Sequence, residues 1–184
     1  VVFVTHCGRI AAVTAEGKGF RVQTHLREIL ARNVLLAIGR RGTPRQLGVP
    51  GEDLTKVTYK LIEPEQYSNR QVLIVGGGDS ALEAATLISQ IPGTRVALSY
   101  RSEAFSRVKA ANRERLREAT QAGRVKVLMR SEVIAIEDGK VRLKLAEDEV
   151  ALDNDAVIIS AGGVLPTDFL KSIGIRIETK YGTA

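Results

Sequence analysis

The sequence predicts an α/β protein, in which a three-layer domain with a parallel sheet and a β-meander is flanked by β-rich segments. Two patterns predict it. From residue 70 onward short apolar runs alternate with helical patterns, and before residue 33 apolar and polar residues alternate singly. Composition agrees: 44% of the 184 residues are hydrophobic, enough for a packed core.

Residues 1–33 read as antiparallel strands, with Glu16-Gly17-Lys18-Gly19 as the turn between two alternating runs. Asn33-Val34-Leu35-Leu36-Ala37-Ile38-Gly39 is a continuous apolar run, expected as a buried strand. Residues 40–69, rich in Gly, Pro and charge, read as a connector. Val72-Leu73-Ile74-Val75 is a buried strand, and residues 81–90 form an apolar helix stopped by Ile91-Pro92-Gly93. Residues 95–100 make the next strand. Residues 110–122 make a charged helix with Leu116 and Ala119 inward, closed by Gly123. Residues 125–129 are a third strand, and residues 132–152 alternate around Asp138-Gly139 as a hairpin or meander. A last buried strand, residues 156–162, ends in glycine as the 33–39 run does.

Charge and composition narrow the function classes. The net charge is +6, from 27 Lys and Arg against 21 Asp and Glu. The basic residues are interleaved with acids, as in Arg113-Glu114-Arg115-Leu116-Arg117-Glu118, the pattern of a solvated helix face. With four Tyr, four Phe and no Trp, stacking platforms for nucleic acid are scarce. No apolar run is long enough for a membrane span, and no leader is visible, so a soluble cytoplasmic protein is expected. The single cysteine, Cys7, excludes an internal disulfide and reads as a small buried hydrophobe. His6 and His25 have no second ligand at metal spacing, and Ser80 is not in a nucleophile elbow. No metal and no acid–base catalytic residue is assigned.

The informative segment is Gly76-Gly77-Gly78-Asp79-Ser80-Ala81, which follows a strand and opens a helix. Gly76 permits the tight turn, Gly78 lets a diphosphate approach the backbone, and Ala81 lets the helix pack close to the strand. The helix N-terminus favours the negative charge, and Asp79 or Ser80 is expected to cap its free amides. This is a Rossmann-like dinucleotide site. Roughly 20 residues on, an NAD site places an acid on the ribose. Here the strand ends Tyr100-Arg101-Ser102, and Arg101, Arg107 and Lys109 offer charge to a 2′-phosphate, so NADPH is favoured. A charge-assisted contact is worth ~1.5–3 kcal/mol, and two of them give a preference of ~100-fold or more. Tyr100 or Arg101 can stack on adenine. Against this, Glu103 takes the ribose, as in an NAD site, if the loop folds back. Glu83 reads first as a dipole partner of its helix, with a place near the nicotinamide as the sharper alternative.

Together the 75–83 segment, Tyr100-Arg101-Ser102-Glu103-Ala104-Phe105-Ser106-Arg107, and Leu36-Ala37-Ile38-Gly39 followed by Pro44 and Gly48-Val49-Pro50-Gly51-Glu52 resemble thioredoxin-reductase-like pyridine nucleotide–disulfide oxidoreductases. The resemblance covers nearly the whole chain. It implies an NAD(P)H domain (66–160) inserted in an FAD domain, with 1–65 and 161–184 as FAD-domain segments and Ala161 and Gly162 at a domain edge. Two departures accompany it. The flavin glycine and ribitol motifs are missing, so the chain reads as a fragment and FAD belongs to its longer parent, FAD binding by these 184 residues being unsupported. The redox Cys-x-x-Cys is also missing, and Tyr59-Lys60-Leu61-Ile62-Glu63-Pro64 stands in that stretch. The resemblance thus points to the cysteine-free members, ferredoxin–NADP reductases or low-molecular-weight-thiol reductases. It implies a homodimeric parent passing hydride from NADPH to FAD and on to a disulfide, ferredoxin or other acceptor. A non-catalytic dinucleotide-binding or regulatory module, and a structural fragment that binds nothing tightly, are the rival readings.

Overall fold

A computed structural model describes residues 10–36, 43–164 and 167–176. Two compact units make up the chain: residues 1–43 with 165–184, and residues 44–164.

In the first unit β1 (Ile10–Glu16), β2 (Gly19–Thr24) and β3 (Glu28–Ala31) form an antiparallel sheet in that order. Gly17, at φ +55, supplies the left-handed residue that the two-residue turn requires. Val13 and Val22 are register partners and both buried. On the exposed face Arg21 bridges Glu16 and Glu28 at 2.7 and 2.5 Å. The 33–39 run departs from expectation: residues 33–36 are not strand and Leu35 is 92% exposed, because no described strand pairs with them. Residues 37–39 of that run, with His6 and Cys7, lie outside the described residues.

The chain enters the second unit through β4 (Thr43–Pro44) and leaves it through β13 (Gly163–Val164), after which α3 (Thr167–Ser172) follows. The second unit is built on a parallel sheet of order β5-β12-β6-β7-β8. Its strands are β5 (Val57–Thr58), β6 (Gln71–Val75), β7 (Arg95–Tyr100), β8 (Val125–Met129) and β12 (Ala156–Ile159). Helices α1 (Asp79–Ile88) and α2 (Ala110–Gln121) join β6 to β7 and β7 to β8. They cover one face, where Ile74, Leu82, Ile88, Leu98 and Ile158 are fully buried. Gly123, at φ +71, closes α2 by sending the Arg124 amide back to the Ala119 carbonyl.

The other face is covered by the meander β9 (Ser131–Glu137), β10 (Lys140–Leu145) and β11 (Asp148–Asp153), which resolves the hairpin-or-meander alternative. Val141 and Leu143 pack there against Leu73, Val157 and Ile159, completing three layers. A buried serine pair, Ser99 and Ser131, seats the meander on the sheet with its hydroxyls 2.7 Å apart, while Ser131 donates to the Leu128 carbonyl.

The connector is structured. Leu47, Val49, Leu54 and Tyr59 pack under the second face, and β5 adds an edge strand parallel to β12. Residues 44–65 therefore belong to this compact unit, which begins well before residue 66. Glu52 organises the segment by accepting the Leu47 and Gly48 amides and the Tyr59 hydroxyl. Burial pushes its carboxyl up, but those donors outweigh it and hold the pKa below the usual glutamate value. Lys56 donates to the carbonyls of Asp138, Lys140 and Asn154, tying the connector to the meander.

Candidate functional site

The order β5-β12-β6-β7-β8 places successive crossovers on opposite sides of β6, so a crevice opens at the carboxyl ends of β6 and β12. The glycine turn stands there. The Ser160 amide donates to Val75 and the Gly76 amide to Ser99, drawing three strand ends together. Gly76 has φ +146, and a Cβ on it would lie 2.3 Å from the Ser160 carbonyl oxygen and 3.3 Å from the Ala81 Cβ. Only glycine fits, and only a small residue at 81 lets α1 come so close. Ala81 is fully buried.

Gly78 differs. It is the N-cap of α1, extended at φ −99, and a Cβ there would meet nothing within 4 Å. The amides of Asp79 and Ser80 have no carbonyl ahead of them in the helix, and no side chain caps the turn. Asp79 and Ser80 are thus not the caps expected. The Asp79 carboxylate turns aside to accept the Lys109 amide at 3.0 Å and the Asn112 side-chain amide at 2.7 Å. These bonds, Asn112 first, lower its pKa. The same Asn112 nitrogen donates to Glu83 at 2.9 Å, so Glu83 braces α2. An open, uncapped helix start beside a bare backbone leaves amide donors and the positive end of the helix dipole facing free space, an arrangement that favours anionic groups.

At the β7 tip, Tyr100 rests on Gly77 and stacks on Phe105, with ring centroids 5.2 Å apart and planes 10° from parallel. Phe105 packs in turn against the helix-side core. Arg101 and Arg107 are exposed along this loop, between the strand end and the buried anchor Val108, and Lys109 is exposed just beyond that anchor. Glu103, the rival ribose ligand, is ion-paired to Arg130 at 2.7 Å. Ala161 and Gly162 continue from β12. Ala161 packs on the meander-side core, and Gly162, at φ +88 with open space around it, accepts the Arg45 amide. A separate cleft of about 430 Å³ is lined by Gln46, Glu52, Leu54, Tyr59 and their neighbours, and includes no residue of the glycine turn. Among the described residues no cluster of three or more His, Cys, Asp or Glu is placed to hold a metal. No helix among them is long and apolar enough to cross a membrane.

The family model for pyridine nucleotide-disulphide oxidoreductases matches residues 3–183. The chain belongs to that family. Among its relatives, the ferredoxin–NADP reductase of Ignicoccus hospitalis is 34% identical over 80% of this chain and 48% of its own length. That of Thermus thermophilus is 32% identical over 92% of this chain and 53% of its own. The solved bacillithiol disulfide reductase Bdr of Staphylococcus aureus superposes with a TM-score of 0.84 at 26% identity, over 93% of this chain and 53% of that one. The chain thus spans about half the length of the relatives it matches.

Three residues of the chain escaped the sequence reading. Asn112 reads as an unremarkable polar position in a charged helix, although its burial at 5% exposure makes it the joint between α1 and α2. Phe105 lies in a segment that carries the resemblance but is given no role by it, and Arg130 lies in no motif. Their partners lie on other elements, and no local periodicity reports them.

Proposed function

We propose that residues 44–164 hold NADPH for a longer flavoprotein oxidoreductase that passes electrons to a disulfide, ferredoxin or another acceptor. The observation that carries this reading is the bare Gly78 at the head of the uncapped α1, at the topological switch of a parallel sheet. The amides of Asp79 and Ser80 would receive the diphosphate, with Gly76, Gly77 and Gly78 keeping side chains out of its path. Arg101 and Arg107, with Lys109, would hold the 2′-phosphate at the β7 tip. Tyr100 is committed to Gly77 and Phe105, which leaves Arg101 as the residue to stack on adenine. Glu83 is engaged with Asn112. Ala161 and Gly162 would border the crevice on its β12 side.

Bound NADPH would supply a hydride, and the protein's part is to bind and orient it. The strand–glycine–helix turn described above is the one assigned to NADPH, and on this reading FAD is placed in the longer protein. The names of the relatives favour an acceptor of the ferredoxin or thiol-disulfide class.

Calorimetric titration with NADP+ and NAD+ tests the reading. NADP+ binds at least tenfold more tightly, and Arg101→Ala removes most of that preference. Equal affinities would defeat the 2′-phosphate assignment, and binding of neither would defeat the cradle.

A further inference from the structure

Arg130 is the single residue between β8 and β9, and it holds φ +51, a conformation glycine adopts more easily. Its position is set by two contacts to the loop after β7. The Arg130 amide donates to the Ser102 carbonyl at 3.3 Å, and its guanidinium pairs with the Glu103 carboxylate at 2.7 Å. Tyr100 and Met129 are register partners in neighbouring parallel strands, so Arg130 and the 101–109 loop both stand at the carboxyl edge of the sheet.

This edge is where the ribose of a dinucleotide bound at Gly76–Gly78 would reach. Glu103 is the one acid of a loop that otherwise offers Arg101, Arg107 and Lys109. A free carboxylate there would act twice against a 2′-phosphate: it would repel the dianion, and it would accept the 2′-hydroxyl of the unphosphorylated cofactor. The pairing opposes both effects.

We infer that Arg130 is a specificity-determining residue, which favours the 2′-phosphorylated cofactor by engaging and neutralising Glu103. The inference rests on the dinucleotide site proposed above and adds to it a residue from a different strand. Arg130 acts through Glu103 and is a positioning residue. Both side chains are well exposed, at 65% and 71%, so the effect is modest and screened by salt.

Dissociation constants for NADP+ and NAD+ are measured for the wild type, Arg130→Gln, Glu103→Gln and the double variant at low ionic strength, with thermal unfolding of each as a check on folding. Arg130→Gln weakens NADP+ by about two- to fivefold and leaves NAD+ unchanged or tighter. Adding Glu103→Gln restores NADP+ affinity, and 0.5 M salt shrinks the Arg130→Gln effect. Equal loss for both cofactors would make Arg130 a structural residue and overturn the inference. A double variant as weak as Arg130→Gln alone would mean that the arginine touches the phosphate itself, which also overturns it. A wild type without preference for NADP+ removes the underlying site together with the inference. A preference undiminished in Arg130→Gln removes the inference alone.

Discussion

Gly77 lies against the face of the Tyr100 ring: a Cβ built on it would fall 2.1, 2.2 and 2.3 Å from ring carbons Cε2, Cζ and Cδ2. The middle glycine of the turn is therefore required by a side chain on the next strand. Gly77→Ala pushes the ring aside and breaks its stack on Phe105. The expected loss is about 1 kcal/mol of stability, seen in urea unfolding, with altered tyrosine near-UV dichroism. In a Tyr100→Leu background the same change costs much less. Additive losses in the double variant would separate the glycine from the ring.

Gly76 and Gly78 make opposite predictions. Gly76→Ala sets a methyl against the Ser160 backbone at positive φ, with no flexible side chain to yield. It destabilises by more than about 2 kcal/mol. Gly78→Ala points into open space and costs less than about 1 kcal/mol in folding, yet fills the cradle and lowers NADP+ affinity at least tenfold. Thermal unfolding paired with calorimetry distinguishes them. Unchanged affinity in a folded Gly78→Ala would place the cofactor elsewhere.

Asp79 gives the helix joint a pH signature. Its carboxyl is held below the usual aspartate range by Asn112 and the Lys109 amide. For an acid depressed on folding, the contribution to stability is complete above the unfolded value of about 3.9 and disappears as pH falls through the lower folded value. Asn112→Ala moves the Asp79 pKa up toward the ordinary value in a carboxyl NMR titration. The stability gap between wild type and variant narrows on acidification across the same interval. An unmoved Asp79 titration would remove Asn112 as the cause.

Much of this architecture is legible in the sequence, and the boundary of legibility is physical. The unit running from β6 through the glycine turn to α1, with β7, α2 and β8, is announced by local signals: apolar runs of strand length, Pro92 with Gly93 ending a helix, and Gly123 at a C-terminus. Distant pairing is not announced. Periodicity shows that Val57 or Leu54 is apolar; it does not show that this connector slides under the sheet beside a strand 100 residues later. The 33–36 run shows the converse, because an apolar segment becomes a strand only where a neighbour accepts its hydrogen bonds. At the site, the glycines were readable because backbone geometry demands them. The partners of Tyr100, Asn112 and Arg130 depend on tertiary packing.

Lys56 tests that tertiary layer apart from the cofactor. Its ammonium donates to three carbonyls, Asp138 at 3.0 Å, Lys140 at 3.3 Å and Asn154 at 3.0 Å, and its own carbonyl accepts the Val157 amide. The clamp sits at the amino edge of the sheet, where β5 and β12 begin, whereas the glycine turn is at the carboxyl edge. Burial pulls the Lys56 pKa below the ordinary lysine value against the opposing charges of Asp138, Asp155 and Glu137, so the bonds are made at a desolvation cost. Lys56→Met escapes that cost but leaves three carbonyls without their donor, next to an Asn154 Oδ1 that is already buried and unpaired. The net loss is about 1–3 kcal/mol, or roughly 2–4 °C in melting temperature per kcal/mol for a chain of this size. NADP+ affinity stays within twofold, because nothing at the carboxyl edge moves. A variant as stable as wild type would show the clamp to be ornamental, and a loss of NADP+ binding in a folded variant would tie the two edges of the sheet together.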